Sequence, residues 1–335
     1  MRPSAAGTPT APATPQEMRE VTGVGPSAEA ATRVRLQLPA KSTVSAAYQA
    51  KDGYLVVNTA PDGDKQLVLQ DDSDKQQVLV DDASNITLAK DGSTVAWASQ
   101  GPAPTQSPTQ GPSASPAPSQ SPSPAPSLMN VGVRSDQNHQ KIIKGNSVAV
   151  PPGTQPVTFV GTNLVLSNDD KGFDVWHTER GYSPTWDKTV ARVFGGTPDN
   201  SGVYAEVNPG PQDAAMCLAL LLFDQPFKVR SKVCGLPVAA QAGARISPDG
   251  HWLAYPVAGA KQVAILDLTA VFTGAKAKVW SLAVGSKTVW LNPTTFVVDN
   301  GTKFCVLDPT GKTDVVAPLD QDSDGVVLIE PLANQ

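Results

Sequence analysis

Histidine is scarce in this chain. Three occur in 335 residues, His139, His177 and His251, and none stands in a His-x-x-x-His or Cys-x-x-Cys spacing, so a zinc site has little support. No Gly-x-Ser-x-Gly elbow occurs, which argues against a serine hydrolase. A basic excess is also missing. The 26 Lys and Arg against 31 Asp and Glu give a net charge of −5, the wrong balance for a nucleic-acid partner. The amino terminus, Met1-Arg-Pro-Ser-Ala-Ala-Gly-Thr-Pro9, lacks the apolar core of about 7–15 residues that a secretory signal requires, and no membrane span is visible. Long helical periodicity is absent, and no motif requires a cofactor.

What the chain has instead is 31 prolines and 27 glycines set between short apolar runs. Residues 245–255 show the arrangement best. Ser247-Pro248-Asp249-Gly250 is a tight turn: Pro presets φ at the corner, and Gly supplies the positive φ that closes it. Strand-like residues flank the turn, and the run from Gln262 to Leu268 follows. Variants recur at intervals of about forty residues: Lys51-Asp52-Gly53, Lys90-Asp91-Gly92, Gly161-Thr162-Asn163, Pro198-Asp199-Asn200 and Asn292-Pro293. Six repeats are legible, beginning near residues 44, 86, 157, 190, 244 and 288. The alternating residues 32–38 and the apolar run 326–330 are left over at the two ends.

The repeat resembles that of the TolB-type and WD40-like β-propellers, in which a Ser-Pro-Asp-Gly turn joins the first two strands of a blade. The resemblance spans about 44–330. It implies an all-β fold: a β-propeller of about seven four-stranded antiparallel blades, monomeric, with both termini pairing in a composite closing blade that removes the open sheet edge. Six blades with looser ends is the alternative, and ordinary hairpins in a β-sandwich is the plainer one. The resemblance also implies a tendency toward protein partners, but it carries over no binding residue. Propellers host binding modules, scaffolds and enzymes alike.

Two segments do not read as blades. Residues 1–30 are assigned to a disordered Pro/Ala/Thr-rich tail, leaving 31–335 as a single propeller. Residues 101–127 hold nine prolines and no charged or large apolar residue, so they cannot bury enough surface to offset their ordering entropy. They follow a second strand and precede a third, which makes them a disordered insertion within blade two, tolerable because loop closure grows costly only slowly with length. A loop without a role is the stronger reading; their Ser, Thr and Pro content also suits O-glycosylation or a partner-binding arm. The tail resembles the stalk that follows a membrane anchor. An anchor missing from this chain is one expectation, and a cytoplasmic protein with a Pro-rich tail is the other.

Three cysteines bear on compartment. Taking 217–234 as a hairpin turning over Gln225-Pro226 places Cys217 opposite Cys234 and Leu222 opposite Val229. Leu218, Leu220, Leu222, Phe227, Val229 and Val233 then share one face, and Lys228, Arg230 and Lys232 the other. Directly opposite cysteines of a non-hydrogen-bonded pair are within disulfide reach, and a bridge implies an oxidising compartment. Two buried free thiols are the alternative. Cys305 reads as a small apolar residue packed within a strand.

Few residues suggest chemistry. Asp320, Asp322 and Asp324, with Gly325, resemble the start of a calcium loop, but Pro331 stands where the bidentate Glu belongs, and a solvated acidic turn is the stronger reading. Trp97, Trp176, Trp252 and Trp290 read as packing between blades. Tyr182 and Trp186 differ: they lie in an irregular connection with Gly181, Ser183 and Pro184, where an aromatic pair offers an interaction surface or folds back over the edge of blade three. The functional expectation is a non-catalytic, extracytoplasmic, secreted or cell-surface module for binding, scaffolding or sensing, whose partner is a protein or a cell-surface polymer. A propeller lyase or hydrolase with residues converging on the central channel is the competing class. A cluster of ionisable groups with shifted pKa values at one channel mouth would favour it.

Overall fold

A computed structural model describes residues 18–25, 32–39, 41–100, 126–135, 141–208, 216–224, 226–236, 244–257, 261–282, 287–300, 303–310, 317–322 and 326–332. Six consecutive antiparallel sheets account for most of them. Blade one comprises Thr43–Ala50, Gly53–Thr59, Lys65–Gln70 and Gln76–Ala83. Blade two comprises Asn85–Leu88, Thr94–Gln100, Ser127–Arg134 and Ile142–Val150. Blade three has three strands, Gln155–Val160, Asn163–Asn168 and Gly172–His177. Blade four is Val190–Gly196, Gly202–Val207, Cys217–Phe223 and Phe227–Cys234. Blade five is Arg245–Ile246, Trp252–Pro256, Gln262–Asp267 and Lys278–Ser281. Blade six is Thr288–Asn292, Thr295–Asp299, Lys303–Leu307 and Ala317–Asp322. The first strands begin within two residues of the frame set by the turns, at 43, 85, 155, 190, 245 and 288.

The turns hold their shape through side chains. In blade five, Ser247 Oγ donates to Asp249 Oδ1 at 2.5 Å and accepts from the Trp252 amide at 2.9 Å. Gly250 has φ of +76°, and a Cβ there would sit 3.1 Å from Pro198 Cδ in the neighbouring turn, so glycine serves both the left-handed backbone and the close approach. Asp91 accepts from the Ser93 amide and hydroxyl, and Asp199 from those of Ser201. The short side chain mimics a backbone turn at each place. Arg134, 6 % exposed, ties two blades together: it pairs with both Asp52 carboxylate oxygens at 2.8 Å and reaches the Gly92 carbonyl.

The core lies between blades. Leu55, Leu67 and Leu69 of blade one pack on Ile86, Leu88 and Val95 of blade two. Ala96, Met129 and Val131 meet Phe159, Leu164 and Trp176 of blade three. Tyr204 and Leu218 of blade four meet Leu253, Tyr255 and Leu266 of blade five. Ala254, Ile265 and Trp280 meet Trp290 and Phe296 of blade six. The chain is a six-bladed β-propeller.

Six blades replace the expected seven, because the ends pair differently from a closing blade. Thr32–Pro39 pairs antiparallel with Met18–Gly25, not with the C-terminal run. That run divides at Ile329. Val326–Leu328 lies parallel to Met18–Gly25, and Glu330–Pro331 lies parallel to the first strand of blade one, with Glu330 opposite Tyr48. The result is a three-stranded mixed sheet. Its Leu36 and the adjoining Ile329, both 0 % exposed, pack on Ala47 and Val56 of blade one, while Leu328 packs on blade six. Met18–Gly25 falls within the span assigned to the tail. Val21 and Val24, with Thr22 and Gly23 between them, carry little alternation, and pairing with Thr32–Pro39 makes it a strand. Blade three also departs from four strands. After His177 comes a single bridge, Phe173 to Asp187, because Gly181 and Pro184 interrupt the run.

Candidate functional site

Antiparallel pairing gives the disc two faces. First strands run from an entry face to a turn face, which carries the first-to-second and third-to-fourth turns. Second-to-third connections return to the entry face, as do the chain's passages from blade to blade. Gln100 lies opposite Ser127, so the Pro-rich insertion leaves and rejoins the fold at the entry face. Residues 101–125 themselves lie outside the described residues.

At the entry face the channel mouth opens into a cavity of about 340 Å³. Val44, Ala46 and Ala47 of blade one, Val289 of blade six, and Val327 and Leu328 form much of its wall. Six residues with polar or charged ends join them: Ser45, Tyr48, Arg245, Lys287, Thr288 and Glu330. Each is placed by the blade frame. Arg245 opens the first strand of blade five, Lys287 precedes that of blade six, and Glu330 stands opposite Tyr48 in the parallel pair. Burial pushes the Tyr48 phenol well above its usual range, Glu330 adds to the rise and Arg245 opposes it. Burial likewise raises the Glu330 carboxyl, with Arg245 partly offsetting it. The Arg245 guanidinium donates to the Ala244 carbonyl at 3.1 Å, and the Arg245 carbonyl accepts from Trp290 Nε1 at 3.1 Å. The first ties the side chain to the adjacent backbone, and the second holds the Arg245 backbone against blade six.

At the turn face a second cavity of about 320 Å³ is lined by Lys90, Asp91, Asn200 and Asp249. Burial lowers the Lys90 ammonium, and Asp249 partly restores it. The carboxylates here are committed to their own turns, and Asp249 also lies 3.1 Å from His251 Nδ1.

The residues singled out in the sequence are scattered. Cys217 and Cys234 form a disulfide, and Cys305 is a buried free thiol. The hairpin register agrees at the cysteine end but shifts toward the turn, where Leu221, not Leu222, faces Val229. Arg230 occupies a bulge there. The third strand of blade four is accordingly buried on both faces, Ala219 and Leu221 toward blade three and Leu218 and Leu220 toward blade five. Val229, expected in the packing face, is exposed. Tyr182 and Trp186 are half-buried against the core shared by blades two and three. The Tyr182 hydroxyl donates to Asp174 Oδ2 at 2.7 Å; burial, with this hydrogen bond and the Asp174 charge adding to it, drives the phenol far above its usual range. Its ring meets Trp176 edge-on at 6.4 Å.

Asp320 and Asp322 lie in the outer strand of blade six, with Asp322 opposite Lys303; Asp324 and His139 lie outside the described residues. His177 Nε2 is 3.2 Å from Thr162 Oγ1. Trp176, Trp280 and Trp290 are buried, while Trp97 and Trp252 are half-buried against the same inter-blade clusters. The channel-mouth group of Tyr48, Arg245, Lys287 and Glu330 was missed. The turn frame places 245 and 287 at the start of inner strands, which was the available signal. Glu330 had none, since its parallel pairing leaves no local pattern.

Among family models and curated proteins, none matches the sequence. Solved structures share the propeller fold. The chain is similar to a chain of a mitotic checkpoint complex at 9 % identity and TM-score 0.55, covering 98 % of this chain and 90 % of that one. It is similar to the β-propeller domain of Cps50 (Swd1) from Myceliophteria thermophila at 8 % identity and TM-score 0.52, covering 88 % and 94 %. The β-propeller domain of the trilobed protease of Pyrococcus furiosus, described as having an open velcro topology, gives 11 % identity and TM-score 0.51 over 83 % and 84 %. At such identities the likeness is one of fold. Among the described residues no helix is long and apolar enough to cross a membrane.

Proposed function

We propose that this propeller is a non-catalytic binding or scaffold module of an extracytoplasmic compartment, engaging a protein or cell-surface polymer through its entry face. The observation that carries the reading is what gathers on that face. The Pro-rich insertion departs there, the disulfide ties the base of the blade-four hairpin there, and the channel opens there into a partly apolar cavity. A disulfide supports an oxidising environment. One structural relative is a chain of a multi-protein complex, a likeness of fold alone.

A propeller enzyme is the second reading, and the raised Tyr48 and Glu330 at a channel mouth favour it, since perturbed groups in a cleft mark candidate acid–base sites. Against it, the described histidines, His177 and His251, lie in turns or strand ends outside that cavity.

The test places a photo-cross-linking side chain at Ser45, exposed at the entry face, or at Ser93, exposed in a turn of the other face. A discrete cross-linked partner from Ser45 and none from Ser93 is expected. Equal labelling from both, or none from either, removes the reading. Turnover of any ester or glycoside that is abolished by Tyr48→Phe would establish the enzyme instead.

A further inference from the structure

We infer that the entry-face mouth of the channel binds a neutral, polyhydroxylated ligand, namely a sugar unit of a cell-surface polymer. The inference rests on the binding-module reading and names what the channel takes. The mouth offers no surplus of either charge. Glu330 has Arg245 as its charge partner, and Lys287 is engaged within the fold. An anion entering here meets a carboxyl beside each cation it gains, and a cation meets the reverse. A ligand without charge loses nothing to either.

Polar groups of three kinds line this space. Arg245 and Lys287 only donate hydrogen bonds, an ionised Glu330 only accepts them, and the hydroxyls of Ser45, Tyr48 and Thr288 do both. A ligand hydroxyl also donates and accepts. One functional group, repeated around a ring, therefore meets all three kinds. An ammonium cannot accept, and a carboxylate cannot donate. An apolar peptide side chain would displace water from these ends and leave them without partners, at a cost for each.

The walls decide the rest of the ligand. Val44, Ala46, Val289 and Leu328 offer an aliphatic surface beside the polar ends. The C–H face of a pyranose ring covers such a surface while its hydroxyls reach the polar groups. About 340 Å³ lies at the small end of ligand pockets, roughly 300–1,000 Å³. That volume admits a sugar unit and not a folded surface. Ser45, which lines the cavity, is exposed, so further units of a polymer have a way out past it.

Calorimetric titration of the intact protein at neutral pH tests this with glucose, galactose, mannose and N-acetylglucosamine, their linear trimers, glucuronate, glucosamine and N-acetylleucinamide. At least one neutral sugar should bind at millimolar concentration, and its trimer at least as tightly. Glucuronate and glucosamine should bind about tenfold or more weakly, since each brings an unpaired charge into a balanced site. Ser45→Trp fills the opening from an exposed position and should abolish binding with an unchanged unfolding midpoint. Glu330→Gln should weaken binding roughly fivefold, as expected when a charge-assisted bond becomes a neutral one. No binding of any neutral sugar at high millimolar concentration, tighter binding of glucuronate or glucosamine, or binding that survives Ser45→Trp overturns the inference. Preference for N-acetylleucinamide assigns the site to a peptide and overturns it as well. A trimer that binds more weakly than its monomer assigns the site to a free sugar and overturns the polymer. Failure of these titrations with cross-linking from Ser45 intact leaves the module reading standing. Sugar binding without any cross-linked partner does the reverse.

Discussion

Two buried carboxylates in neighbouring blades meet opposite fates. Asp174, 0 % exposed, accepts hydrogen bonds from the Val175 amide, the Tyr182 hydroxyl, and the Thr185 amide and hydroxyl. It pins the segment after His177 against blade three. Removing one partner from a buried acceptor costs about 1–3 kcal/mol, so Tyr182→Phe should lower the unfolding free energy by about that much in a denaturant titration. Trp186→Ala should cost about 3 kcal/mol as its ring leaves the core. An unchanged Trp186→Ala midpoint together with loss of a cross-linked partner would instead assign the aromatic pair to an interaction surface.

Glu206, 2 % exposed, has neither carboxylate oxygen bonded, and its neighbours are Phe194, Met216 and Leu218. Burial raises it above the ordinary 4.5, with Arg192 partly offsetting. The folded state therefore holds this proton more tightly than the unfolded chain. Stability from this group is greatest below about pH 4.5 and falls as pH rises through the folded value. Glu206→Leu should be more stable than wild type at pH 7 by urea unfolding, with the advantage shrinking toward pH 4. A constant difference across that range would show that the carboxyl finds compensation.

Strands and hairpins tell how far local pattern reaches. The bridge of blade four closes a loop with sequence separation 17, and replacing both cysteines by alanine should cost about 3 kcal/mol in the chain-entropy account. Non-reducing peptide mapping of freshly isolated protein should recover the linked pair; finding both thiols alkylated would remove the argument for export. Alternation was enough to pair Cys217 with Cys234 and Leu218 with Val233. It failed beyond Leu220, because a bulge shifts the register by one residue without any glycine or proline to announce it. The turns were legible because Asp, Ser and Gly must stand at fixed offsets to close them. The missing fourth strand of blade three was not, since the capping of its edge depends on Asp174, which a sequence pattern cannot distinguish from a solvated acid. The channel-mouth group was hidden for a related reason: Tyr48 and Glu330 are neighbours only through a parallel pair 282 residues apart in number.

For the molecule as a whole, the insertion and the ends play opposite parts. Gln100 and Ser127 face one another across adjacent strands, so the residues between them span a gap that a short linker also spans. Replacing 101–125 by a Gly-Ser loop should shift the thermal midpoint by no more than a few degrees, and a larger fall would mean that the segment packs on the blades. The ends are another matter. Val326–Leu328 completes one sheet, and Glu330–Pro331 lines the inner edge of blade one. A ribosome reaches these residues after the other described strands have emerged. Until then blade one shows a bare inner edge and the amino-terminal hairpin lacks its third strand. A nascent chain must wait, ring unsealed, until residues 326–331 are made, and contacts of such sequence separation form slowly. Holding that edge from other chains is work that falls to the cell before it falls to the fold.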